Sequence, residues 1–174
     1  MSRLTRSFSS VLQRSGGRGF SLVELMVALA VAAILLGIAI PSFDSFILKS
    51  RLSTYASDFS ASARLARSEA LKRNTPVTLC KSSDGLSCVT SGGWEQGWIV
   101  LSGTTVIRRQ QAVVAGYLLS SSVSSLTFQP NGFGSTQATV TVCRSSTLGG
   151  EEREVRVSAT GRTAIKKTYT GSCS

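Results

Sequence analysis

The chain has 174 residues, carries 19 lysines and arginines against 9 acids, and has a formal net charge of +10. It contains no histidine, which excludes Ser-His and Cys-His nucleophile pairs. The four cysteines include no C-x2-C pair, so a zinc site is a poor fit as well, and the residue pattern calls for no cofactor or metal.

The N-terminal stretch has Arg3, Arg6, Arg14 and Arg18 and no acid. After Gly19, residues 20–40 are apolar apart from small interruptions and one carboxylate, Glu24. A run of this length can cross a bilayer as a helix. A carboxylate inside it costs roughly 2.5–3.5 kcal/mol on insertion scales. Cutting the chain before Phe20 would create an amine able to pair with it. An ordinary signal peptide, cut at Ala28-Leu29-Ala30, would leave apolar residues continuing past the site and an acid inside its core. A plain anchor leaves Glu24 without a reason. A buried core helix would not need so long an apolar run.

Gly19 followed by Phe20-Ser21-Leu22-Val23-Glu24 resembles the processing site of type IV prepilins and type II secretion pseudopilins. The resemblance implies a leader over 1–19, longer than is usual for the family, cut by a prepilin peptidase that then methylates Phe20. It also implies an assembly role for Glu24, at the fifth mature position, and for Pro41, at the twenty-second. The implied partners are other major and minor pilins, packed through the N-terminal helix, and an inner-membrane assembly platform. Loss of the leader arginines lowers the net charge to +6. A basic leader stays cytoplasmic and sends the body into the periplasm. Cysteines pair in that oxidising compartment. Of three possible connectivities, turn formers Ser82, Asp84 and Gly85 favour Cys80 with Cys88. That leaves Cys143 with Cys173, a bond that would tie down a polar C-terminus.

Beyond residue 40 a helical period continues through Phe43, Ile47, Tyr55, Phe59, Ser62, Ala66 and Ala70. Lys49, Arg51, Asp58, Arg64, Arg67 and Lys72 take the opposite side, and Glu69 with Arg73 forms an i, i+4 pair. Pro41 should weaken or kink the helix, and Asn74-Thr75-Pro76 should end it. A helix over 20–73 would be about 80 Å long. Residues 77–80, 98–101, 104–109, 112–119, 125–129, 138–143, 154–158 and 163–169 read as strands, with turns at Ser102-Gly103, Pro130-Asn131-Gly132 and Thr160-Gly161. The fold class is α+β, with one long helix on antiparallel sheet. The organisation is a leader (1–19), a transmembrane, filament-core half-helix (20–46) and a periplasmic globular body (47–174). Glu151, Glu152 and Glu154 beside Arg153 and Arg156 read as a solvated, salt-bridged edge. Trp94 and Trp98 read as core filling.

Three further segments narrow the family. They are Ala66-Arg67-Ser68-Glu69-Ala70 before Lys72-Arg73-Asn74, then Val77-Thr78-Leu79-Cys80, then Trp94-Glu95-Gln96-Gly97-Trp98-Ile99-Val100. They resemble the FimT/FimU minor pilins and their GspH pseudopilin relatives. The resemblance implies a pilin-like body of two sheets and a low-abundance subunit at or near a filament tip; no catalytic constellation is visible in the residues, so an enzyme is not expected. Some FimT-like pilins bind double-stranded DNA through a Gly-Arg-x-Arg motif. Here Gly161-Arg162 matches, Ala164 stands at the second arginine, and Lys166 and Lys167 follow. Arg108, Arg109 and Arg144 are further candidate phosphate contacts, and Tyr169 is the nearest aromatic. The expected function is a minor pilin that primes or caps a pilus, with DNA capture for transformation as a further task. The alternatives are a GspH-type minor pseudopilin of type II secretion and an anchored periplasmic binding protein that never polymerises.

Overall fold

The computed structural model describes residues 19–145, 150–169 and 171, leaving aside the side chains of residues 36 and 38–42. Helix α1 spans Leu22–Arg73. It continues through Pro41 and ends at Asn74, whose φ of +52° is the left-handed conformation asparagine tolerates at a helix terminus. Two units, Met1–Ser42 and Phe43–Ser174, meet within this helix, and each is described by itself.

In the second unit the chain forms β1 (Val77–Lys81), β2 (Trp98–Ser102), β3 (Thr105–Gln110), β4 (Tyr117–Ser120), β5 (Ser125–Phe128), β6 (Ala138–Arg144), β7 (Glu152–Val157) and β8 (Thr163–Thr168). The strands make two four-stranded sheets, in the orders β3-β2-β1-β5 and β4-β6-β7-β8, and every pairing is antiparallel. Short β-rich segments joined by tight turns favour this arrangement. The expected strand over 112–119 is half lost, because only Tyr117 onward pairs. Before it, the Val113 amide donates to the Glu95 carbonyl at 2.9 Å, and the Val114 amide donates to the Tyr55 hydroxyl at 3.3 Å. These bonds tie the segment to the turn and helix instead of a neighbouring strand.

The helix meets the body through Leu52, Ala56, Phe59, Ala63, Ala66 and Ala70, all fully buried. Their spacing alternates between four and three, a seam of one helix face. Phe43 and Ile47, expected on that face, are exposed. Arg67, expected in solvent, is half-buried. Four alanines on the seam leave the β layers room to approach the backbone. One hydrophobic cluster joins this seam to Val77, Leu79, Val100, Leu126 and Phe128 of the first sheet and to Leu119, Val140, Val142, Val155 and Val157 of the second.

Phe59 occupies the centre. Its ring lies 5.0 Å from Trp94 and 5.7 Å from Trp98, edge to face in both pairs. Each tryptophan is 1% exposed, so both fill the core as expected. Burial of an indole requires a partner for its N–H. Trp98 Nε1 donates to Ser62 Oγ at 2.9 Å and Trp94 Nε1 to the Val123 carbonyl at 2.9 Å. Truncation of Phe59 would remove the ring and leave a cavity between two rigid indoles. Phe59→Ala should therefore lower unfolding free energy by about 3–5 kcal/mol. Urea titration of the full chain in detergent, followed by tryptophan fluorescence, measures this. A loss below about 1 kcal/mol would remove Phe59 from the centre of the fold.

Candidate assembly segment and anion-binding groove

Gly19 and Phe20 are exposed and lie just before α1, and Glu24 sits exposed in the first turn of the helix. A carboxylate there complements the positive end of the helix dipole. Around it Phe20, Leu22, Val23, Leu25, Met26 and Val27 are all more than half exposed. Among the described residues of its unit this apolar surface has no partner. Among the described residues no helix is long and apolar enough to cross a membrane. Pro41 lies within α1.

Cys80 and Cys88 form a disulfide, with Cα atoms 5.6 Å apart. Within the loop it closes, Asp84 accepts hydrogen bonds from the Leu86 and Ser87 amides and from the Ser87 and Ser82 hydroxyls. These donors hold its carboxyl far below the ordinary carboxylate range. Cys143 is buried on β6. Cys173, its expected partner, lies outside the described residues.

The candidate DNA contacts do not form one patch. Arg108 and Arg109 are on β3, an edge of the first sheet. Arg144, at the end of β6, is ion-paired with Asp44 at 3.2 Å. Lys167 is drawn to Glu151 at 3.1 Å and stands over the Tyr169 ring, 5.1 Å from its centroid. Arg162 is exposed in the turn between β7 and β8. It lines a groove of about 700 Å³ together with Arg156, Thr139, Ser158, Thr160 and Thr163.

Arg156 is the residue that reading along the chain missed. In the sheet it is the direct cross-strand partner of Ala164. It therefore stands beside the position where the Gly-Arg-x-Arg pattern lacks its second arginine. Residues opposite each other on antiparallel strands share a face. Lys166, two residues further along β8, shares that face and lies opposite Glu154. Arg156 is also ion-paired with Glu154, yet it stays largely exposed. Two guanidiniums and the neighbouring hydroxyls can donate to phosphate oxygens. Among the described residues no cluster of three acids or cysteines could hold a metal.

The acidic run differs from its expected form. It is ion-paired but not a solvated edge, because β7 lies between β6 and β8. Glu152 is 2% exposed and accepts hydrogen bonds from the Gly171 amide at 2.8 Å and the Thr168 hydroxyl at 3.4 Å. The chain after β8 thus covers it. Glu151 bridges Arg153 at 2.6 Å and Lys167 at 3.1 Å.

A long N-terminal helix laid on an antiparallel two-sheet body, beginning at an exposed Gly-Phe with an acid one turn in, defines a pilin-like protein. The model of the prokaryotic N-terminal methylation motif matches residues 14–40, and that of the type II transport protein GspH matches residues 55–161. The chain belongs to the GspH family, within the minor pilins and pseudopilins. The type IV minor pilin FimU of Pseudomonas aeruginosa has a similar fold, with a TM-score of 0.56 and 22% identity over 70% of this chain and 92% of that one. The minor pseudopilin EpsH of the Vibrio cholerae type 2 secretion system gives a TM-score of 0.50 and 14% identity, over 70% and 99% of the two chains. The type IV major alpha-pilin of Moraxella bovis is 32% identical over 66 residues, 38% of this chain. The chain matches only 42% of that relative's length. The family is one of structural subunits that associate with other pilins in membrane-anchored filament assembly.

Burial alone would raise the Glu151 carboxyl, but its bonds from Arg153 and Lys167 outweigh that effect and hold it below its ordinary 4.5. The Lys167 amine is raised above 10.5, first by its Tyr169 contact and then by Glu151. A depressed carboxyl stabilises the fold fully above its unfolded value and loses that contribution as pH falls. Glu151→Gln should therefore lower Tm near neutrality and flatten the decline as pH falls below about 4.5. Thermal melts of the full chain across that range check it. An unchanged acid limb would show that the bridge contributes nothing.

Proposed function

We propose that the chain is a minor type IV pilin, cut after Gly19, methylated at Phe20, and held in the inner membrane by residues 20–46 until it joins a filament. The observation that carries this is the apolar helical surface after Gly19, exposed among the described residues, with Glu24 as the one carboxylate of residues 20–40. Packed among neighbouring helices with water excluded, Glu24 would pair with the Phe20 amine of an adjacent subunit. The amine is positive at neutral pH. Such a pair fixes axial register, a role well attested for buried polar groups in helical bundles. The prepilin peptidase and the assembly platform would handle the subunit before assembly. The work of the subunit is structural, to prime or cap the filament, and not catalytic. Glu24→Ala should still insert into the membrane but drop out of sheared filaments. N-terminal mass spectrometry of the native protein checks the cut, and a retained leader arginine would overturn the reading.

We further infer that the groove between Arg156 and Arg162 takes the phosphate backbone of double-stranded DNA. Support comes from Arg156 and Arg162, both exposed and both lining the groove, and from the net basic chain. Contacts of this kind are sequence-independent and salt-dependent. The full chain in detergent should shift a short duplex at low salt. Arg156→Gln with Arg162→Gln should weaken the shift strongly and reduce the salt slope of the residual binding by about two. A shift with unchanged strength and slope would move the site elsewhere. A second reading, a minor pseudopilin of type II secretion, is favoured by the GspH match over 55–161. Under it the duplex shift is absent, and pull-downs recover other pseudopilins.

A further inference from the structure

Arg67 is on the helix, yet its side chain is engaged. Its Nε donates to the Gly132 carbonyl oxygen at 3.0 Å. Two turns close on it. Gly132 has φ +80° and Gly161 φ +70°, a region that side chains rarely adopt. A Cβ at residue 161 would lie 2.7 Å from the Gly132 oxygen and 2.8 Å from Arg67 Cδ. Glycine at 161 is therefore required twice, by its backbone angle and by the space Arg67 fills. The Gly134 amide donates to the Ala159 carbonyl at 2.8 Å, which ties the two turns to each other.

Arg162 follows directly. Its amide donates to Ser158 Oγ at 3.2 Å, and its carbonyl accepts from the Ser158 amide at 3.0 Å. Thr163, the next residue lining the groove, has its hydroxyl 2.9 Å from that of Ser60 on the helix. From the helix side, Ser60 is bonded to Thr163 and the Arg67 stem packs beside Gly161. Arg67 also bonds the 129–134 turn at Gly132, which Leu71 flanks as well.

We propose that Arg67 is a positioning residue for the groove. It clamps residues 158–162 against the 129–134 turn and so fixes where the Arg162 guanidinium starts relative to Arg156. The effect on binding rests on the DNA reading given above, whereas the clamp itself does not. A cation acting independently at the surface would add its own phosphate contact. A clamp acts only through Arg162. Arg67→Met keeps the stem and removes the donor, and Arg67→Lys keeps the stem, the charge and one donor.

Hydrogen exchange and duplex binding of the full chain in detergent separate these cases. Arg67→Met should speed exchange at the Gly134, Ser158 and Gly161 amides by about tenfold and leave those of β1 and β2 unchanged. It should weaken duplex binding about tenfold, as Arg162→Gln does. Added to Arg162→Gln it should cost nothing further, since residues acting as one unit are non-additive. Arg67→Lys should restore most of the protection and the affinity. Unchanged exchange at the three amides would overturn the clamp, and additive losses would make Arg67 a separate contact. If exchange speeds up while the parent chain binds no duplex, the clamp stands and the DNA reading falls.

Discussion

The body depends on how closely a helix can lie on its β layers. The seam Leu52, Ala56, Phe59, Ala63, Ala66 and Ala70 has one large aromatic among small residues. Phe59 reaches between Trp94 and Trp98, while the alanines bring the helix backbone close to the valine-rich faces of both sheets. Each large side chain buried here contributes roughly 1.5–3 kcal/mol relative to exposure. Close packing adds dispersion that a looser helix would lose. Ser62 belongs to the same contact, because its hydroxyl accepts a hydrogen bond from the Trp98 indole N–H and donates one to the Asp58 carbonyl. Without that hydroxyl the largest side chain of β2 would be buried with an unmet donor.

The same helix serves two chemistries. From Leu22 to Leu35 its large apolar side chains are exposed, and they are suited to lipid or to sister helices. From Leu52 onward its small residues are buried against the body. The change follows the residues. The first stretch is rich in leucine, valine and isoleucine all round, whereas the second alternates alanine and serine on one face with charge on the other. A segment apolar on every side cannot be satisfied by a sheet on one side alone.

Much of this was legible in the chain. Period-two runs of valine and threonine marked most strands, and Gly103, Gly132 and Gly161 marked turns. The helix face was harder to place. The three- and four-residue period placed Phe59, Ala66 and Ala70 on the buried face, but it also took in Phe43 and Ile47, which are exposed, and passed over Leu52, Ala56 and Ala63, which are buried. Periodicity does not show where along a helix the β layers begin. The 112–119 segment had strand composition but had lost its partner to Glu95 and Tyr55, a tertiary override of propensity. Glu151 and Glu152 looked solvated because charge in sequence gives no sign of the chain that later folds over it.

The groove was illegible for a different reason. Arg156 and Arg162 are neighbours only through the β7–β8 register, which places Arg156 opposite Ala164. A motif read along one strand records the missing arginine and not the one supplied from the adjacent strand. Guanidinium and phosphate meet by geometry, so the strand of origin is immaterial provided the two cations face one rim. The Arg156–Glu154 pair does not cancel this, because the Arg156 side chain stays largely exposed, where solvent weakens an ion pair. Charge number alone would therefore rank Arg108 and Arg109, adjacent in sequence, above Arg156 and Arg162. Adjacent strand residues point to opposite faces, so that pair cannot grip one phosphate from a single surface, whereas the cross-strand arrangement can.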